Sequence, residues 1–166
     1  MPIIEGVTKM IQVSGAQTAG TDEVQTITVT GTPTGGTFRL SFQGFVTGEI
    51  AFDADAAAVD AALEALPSIG TGNVTCAGGP LPGDAVTVTF AGTLVKKALP
   101  LLVVAHNSLT GGTTPTVTIA ETTPGVDAAL RGLPKGVMVM ETSTGKLYVN
   151  SGTAYAPALT LIGAQT

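Results

Sequence analysis

From Glu23 to Thr30 the chain alternates. Val24, Thr26, Thr28 and Thr30 share one side, and Gln25, Ile27 and Val29 the other. After Gly31-Thr-Pro-Thr-Gly-Gly36 the alternation resumes: Phe38, Leu40 and Phe42 face one way, and Arg39, Ser41 and Gln43 the other. Two such runs joined by a Gly/Pro turn predict a hairpin with one apolar face. A short third strand is expected at Glu49–Phe52. The period then changes. In Asp53–Leu66, Ala56, Val59, Ala62, Leu63 and Leu66 make one apolar stripe at helical spacing, with Asp60 and Glu64 opposite. Asp53 and Asp55 suit the N-cap and the positive end of the helix dipole, and Pro67 stops the helix. Asp60 and Glu64 form a like-charge i,i+4 pair, tolerable on an exposed face.

Period-two signals return after the helix. Strands are expected at Asn73–Ala77, at Ala85–Phe90 and at Pro115–Glu121, where Val117 and Ile119 alternate. The run Leu101-Leu-Val-Val-Ala105 is wholly apolar and reads as a strand central in a sheet. Residues 122–135 are a connector, with room for a turn of helix. Gly136–Glu141 and Lys146–Asn150 flank Thr142-Ser-Thr-Gly145 as a hairpin, and Tyr155–Ile162 adds one more apolar strand. That small unit cannot bury much alone. At the N-terminus, Ile3, Ile4, Val7, Met10, Ile11 and Val13 precede a linker-like stretch, residues 14–21. They fit an edge strand or an extended arm equally well.

The expected fold class is α+β, mainly β: an antiparallel sheet or sandwich with one covering helix, plus a C-terminal β-hairpin unit. The expected segments are 1–20 (arm or edge strand), 21–123 (β-rich module with helix 53–66) and 124–166 (connector and hairpin unit).

Composition supports this reading and narrows the function. Of 166 residues, 44% are hydrophobic, and mean hydropathy is +0.43, enough to fill a core. Only 11% are charged, and 22 glycines and 10 prolines supply the turns. The net charge is -5, and the seven basic residues form no stripe, which argues against nucleic acid and against an anionic membrane surface. Low charge on so apolar a chain implies surface covered by a partner or by further copies. The N-terminus lacks the basic start and apolar run of a signal peptide, and no run approaches the ~20 apolar residues of a membrane span.

Catalytic and metal chemistry finds little to build on. Cys76 is the single cysteine and reads as a small buried hydrophobe, so neither a disulfide nor a cysteine metal cage is expected. His106 is the single histidine, read as a loop residue after a strand; no G-x-S-x-G elbow accompanies it. Asp53 and Asp55 fail the calcium-loop pattern because Ala57 occupies the third ligand position. The glycine-rich turn 31–36 lacks the lysine of a phosphate loop. No cofactor, metal or catalytic residue is expected.

Three stretches carry a resemblance. EVQTITVTGTPTGGTFRLSF, DADAAAVDAALEALPSIGTGNVT and GGPLPGDAVTVTFAGTL together resemble a module of structural proteins in tailed phages that infect actinobacteria, with related repeats in large surface proteins. The most distinctive part is the helix A-A-A-V-x-A-A-L-E-A-L-P-x-I-G after paired strands. The C-terminal VMVMETSTGKLYVNSGTAYAPALTLIG resembles hairpin units that end phage head and tail proteins, although Ala158-Leu159 stand where those units often carry an aromatic residue. The resemblance implies assembly rather than catalysis. It implies a virion structural protein, made in the host cytoplasm and placed on the capsid exterior as a decoration or cement protein. Its partners would be the major capsid protein and further copies of itself, as a homotrimer. Ile3, Ile4, Val7, Met10, Ile11, Tyr148, Tyr155 and Leu159 are the expected capsid or subunit contacts. The alternatives are a tail tube or minor tail subunit, and a carbohydrate-binding or adhesion module.

Overall fold

The computed structural model describes residues 10–13, 20–127, 134–141, 146–154 and 158–164. It is mainly β with antiparallel sheets and one helix, the fold class expected from the sequence. The chain divides into two compact units. One comprises Thr21–Val126; the other joins Met1–Gly20 to Asp127–Thr166.

In chain order the strands before the helix are β1 (Met10–Val13), β2 (Val24–Thr30), β3 (Gly35–Phe42), β4 (Phe45–Val46) and β5 (Ile50–Ala51). The helix α1 spans Ala56–Glu64. After it come β6 (Val74–Gly78), β7 (Val86–Phe90), β8 (Val103–Thr110), β9 (Thr116–Thr123), β10 (Met138–Glu141), β11 (Lys146–Asn150) and β12 (Leu159–Ala164).

The unit 21–126 is a sandwich. One sheet has the order β6-β7-β2-β9. In the other, β3 pairs with β4 and β5 along one edge and with β8 along the other. The expected hairpin of β2 with β3 does not form, because the two strands lie in different sheets. Their partners come from about eighty residues downstream. Thr30 is opposite Thr116 in the β2–β9 pair, and Gly35 is opposite Thr110 in the β3–β8 pair. Residues 24–42 and 103–123 therefore make one long antiparallel ribbon, folded over at its waist so that its halves contribute to facing sheets. The waist is glycine-rich for a steric reason. Gly112, at φ +60°, sits so close to the carbonyls of Gly31 and Thr32 that a Cβ has no room. Hydrogen bonds from Thr113 N to Gly31 O (2.8 Å) and from Thr34 N to Thr110 O (2.9 Å) fasten the two bends together.

The core lies between the sheets. Ile27 and Val29 of β2 and Val86, Val88 and Phe90 of β7 meet Phe38, Leu40 and Phe42 of β3. The Phe42 and Phe90 rings stand 5.3 Å apart at 32°. Gln25 is also buried, and its amide ties β2 to the chain entering β8. Its Oε1 accepts from Leu102 N (2.8 Å), and its Nε2 donates to Pro100 O (3.1 Å) and Glu23 Oε1 (3.1 Å). Glu23, equally buried, accepts from Gly125 N through its other oxygen (2.7 Å).

Helix α1 packs on this core through Val59 and Leu63, with Ala56 and Ala62 partly buried beside them, the stripe read from the sequence. Asp55 is the N-cap, accepting from Ala58 N at 2.8 Å. Asp60 and Glu64 are not an idle exposed pair. Asp60 accepts from Cys76 N on the edge strand β6 (2.9 Å), and Glu64 accepts from Gly72 N. The helix thereby supplies an acceptor to the outer edge of its sheet, which an open strand would leave available for pairing.

The second unit is a four-stranded sheet in the order β1-β10-β11-β12. β1 runs parallel to β10, with Ile11 opposite Val139; the other pairs are antiparallel. Val139 is fully buried. So is Asn150, whose Oδ1 accepts from Gly152 N and Ala158 N (both 3.0 Å) and closes the loop before β12. The final strand starts at Leu159, later than the expected Tyr155; residues 155–157 and the turn 142–145 lie outside the described residues, as does much of the connector.

Candidate assembly surface

The strand β3 turns one face to the core and the other to solvent. Its closing turn, Gln43-Gly44, has positive φ at both residues (49° and 87°), the backbone of a two-residue hairpin turn, and returns the chain as β4 beside β3. Thr47 then holds the returning chain down. Its N–H donates to Leu40 O (2.8 Å), and its Oγ1 accepts from Leu40 N (3.0 Å). On the opposite edge β8 pairs with β3 through a bulge between Arg39 and Leu40. The register places Ser41 between Val46 on one side and Val103 on the other, and sets Arg39 opposite His106.

These outward residues form a solvent face of mixed chemistry. Val46 and Val103 are 51% and 57% exposed, and Leu101, two residues before Val103, is 42% exposed. Beside them lies an open depression of about 410 Å3, lined by Arg39, Val46, Glu49, Ala105 and His106. Arg39 Nη2 contacts Glu49 Oε1 at 3.0 Å, an exposed pair of small energetic consequence in the isolated protein. His106 Nε2 lies 2.7 Å from Ser108 Oγ, two residues along the same strand.

Two sequence expectations are corrected here. His106 is not in a loop; it sits within β8. Nor is 101–105 a central strand. β8 starts at Val103, has β3 as its one strand partner among the described residues, and is mostly exposed. Only Leu102 and Val104 of the apolar run turn towards the core.

The chemistry elsewhere is muted. Burial, then the neighbouring carboxylate of Asp60, pushes the Cys76 thiol up to about 12, so it is protonated at neutral pH and a poor nucleophile. Glu121, at the end of β9 and exposed, is held above the ordinary carboxylate value, by desolvation and by the Glu23 carboxylate to which it hydrogen-bonds. Among the described residues no group of three His, Cys, Asp or Glu side chains could hold a metal, and no buried side-chain N or O lacks a partner.

Of the residues expected to make assembly contacts, those that are described all lie in the sheet of the second unit. Met10 and Ile11 lie in β1, opposite Met138 and Val139. Tyr148, half-buried, is in β11 between Val139 and Leu161, and Leu159 opens β12 opposite Asn150. Ile3, Ile4, Val7 and Tyr155 lie outside the described residues. The face around Val46, Arg39 and Val103 was not anticipated. The available signal was Leu101 and Val103 alternating with Leu102 and Val104.

No family model matches the chain. Among known proteins, it is 38% identical over 144 residues to one from Mycobacterium phage Bxz1, an alignment covering 83% of this chain. That relative is a tail sheath protein. The chain spans 23% of its length. A solved structure from Mycobacterium phage Patience aligns with 88% of this chain and 57% of its own, at 15% identity and a TM-score of 0.42. The chain is thus similar, along most of its length, to a segment of a phage structural protein.

Proposed function

We infer that the chain is a structural component of a phage virion and belongs to the tail. The observation that carries this is the 144-residue similarity to a tail sheath protein. It favours a tail subunit, the alternative drawn from the sequence, over the head-decoration role. The rest of the molecule fits a non-catalytic part: a two-sheet sandwich with an exposed face of mixed apolar and polar residues. Contacts made by that face and by the 1–20 and 127–166 unit, through Met10, Ile11, Tyr148 and Leu159 among others, would be weak singly. Repetition along a symmetric assembly makes them strong together.

Mass spectrometry of separated heads and tails tests the assignment. Peptides of this chain should partition with tails. Recovery with heads would restore the capsid-decoration reading, and recovery with neither would remove it from the virion.

A further inference from the structure

We propose that the open edge of β12 is where the chain attaches to a neighbour, and that the occupant is an extended segment of another virion protein, added to the sheet as a further strand. The sheet runs β1-β10-β11-β12, and among the described residues β12 pairs with β11 alone. An edge strand turns alternate N–H and C=O groups outward, and another strand is what satisfies such a row.

The other edges among the described residues are blunted. Asp60 takes the Cys76 N–H on β6. β4 and β5 have two residues each. On β8, Asn107 Oδ1 takes the Leu109 N–H at 3.1 Å. On β9, Glu121 follows Val117 and Ile119 on the inward side, where a charge resists growth of the sheet. β1, the opposite edge of the same sheet, has four residues. β12 has six, Leu159-Thr-Leu-Ile-Gly-Ala164, with no charge and no proline. Its one irregularity, the bulge beside Ile162, comes after a regular pairing of Leu159–Leu161 with Tyr148–Asn150. Leu161 and Ile162 are each 51% exposed. An uncharged, apolar edge of this kind pairs with other chains.

The same chemistry selects the occupant. The row of backbone groups calls for extended backbone, and Leu161 and Ile162 call for apolar side chains on it. A second copy is the poorer candidate. Pairing of β12 with β12 closes on itself as a two-fold pair. Each copy also brings residues 21–126, where three basic residues stand against nine acidic ones, a net charge of -6, so two copies resist close approach. Six residues at ~3.3 Å each give an edge of about 20 Å, a short contact that gains from repetition in a symmetric particle. The proposal rests on the virion reading for the identity of the neighbour, and it holds for a head as for a tail.

Amide hydrogen exchange of the full chain, free and bound to particles assembled without it, is the test. Binding should slow exchange in residues 159–164 by about tenfold or more, because new backbone hydrogen bonds form there. Leu161→Lys, which places a charge on the edge, should weaken binding by about tenfold or more with an unchanged thermal transition. Val103→Lys, at a similarly exposed residue of the other unit, should change binding by less than about twofold. Binding without protection of 159–164, undiminished binding of Leu161→Lys, or an equal loss in Val103→Lys overturns the proposal and leaves the virion reading standing. So does a wild-type dimer in sedimentation equilibrium that Leu161→Lys dissolves, because the occupant is then a second copy. Wild type that binds no particle overturns both.

Discussion

The two units solve the problem of a small β-sheet differently. Residues 21–126 fold one ribbon upon itself, so each half-sheet buries the other, and helix α1 closes the β6 edge with a carboxylate. The unit of residues 1–20 and 127–166 has a single four-stranded sheet. Its fully buried described residues are Val139 and Asn150, while adjacent residues Leu161 and Ile162, which alternation sends to opposite faces, are both about half exposed (51%). The first arrangement supplies its own core. The second leaves apolar side chains exposed on both faces of its last strand.

The largest expected effect separates the units at the core. Phe38→Ala should cost the 21–126 unit about 3–5 kcal/mol, because the ring is fully buried between the sheets. Chemical denaturation followed by amide NMR signals from each unit should show loss in this one. Equal loss in both units would mean that they fold as one.

Next comes the waist of the ribbon. Gly112→Ala should cost about 1–3 kcal/mol, since the new Cβ meets backbone carbonyls and the φ is positive. A neutral result in a thermal melt would show that the bend relaxes freely, and the folded-ribbon account would lose its steric basis. Asp55→Ala, which removes the N-cap acceptor, should cost about 1 kcal/mol by the same measurement.

The smallest effect is electrostatic and pH-dependent. The raised value of Glu121 means that its stabilising share is fully present below the ordinary glutamate value. That share is lost as pH rises through the raised folded value, when the carboxylate ionises beside Glu23. Glu121→Gln should abolish this step and leave the variant the more stable protein at neutral pH. Denaturation midpoints compared below the ordinary glutamate value and at neutral pH would show it; an unchanged difference between the two proteins across that range contradicts it.

Much of this was legible in the sequence, and the reason is locality. The helix, its Asp55 cap and its Val59–Leu63 stripe follow from signals within one window. So do the inward faces of β2 and β3. Pairing was not legible, because what places 24–42 against 103–123 is a register between segments far apart in sequence. The apolar run 101–105 was misread for a related reason. An apolar residue facing solvent on one side and an apolar residue facing core on the other give the same pattern as a strand buried on both sides. Leu101 and Val103 belong to the exposed face beside β3. Periodicity therefore pointed to an unusual strand there, though not to which side was wet.

The central claim is that residues 21–126 are a self-sufficient module carrying that face. Thermal unfolding of residues 21–126 expressed alone tests it most directly. The account predicts one cooperative transition close to that of the same residues in the full chain. A non-cooperative melt, or a transition far below that of the same residues in the full chain, would contradict it.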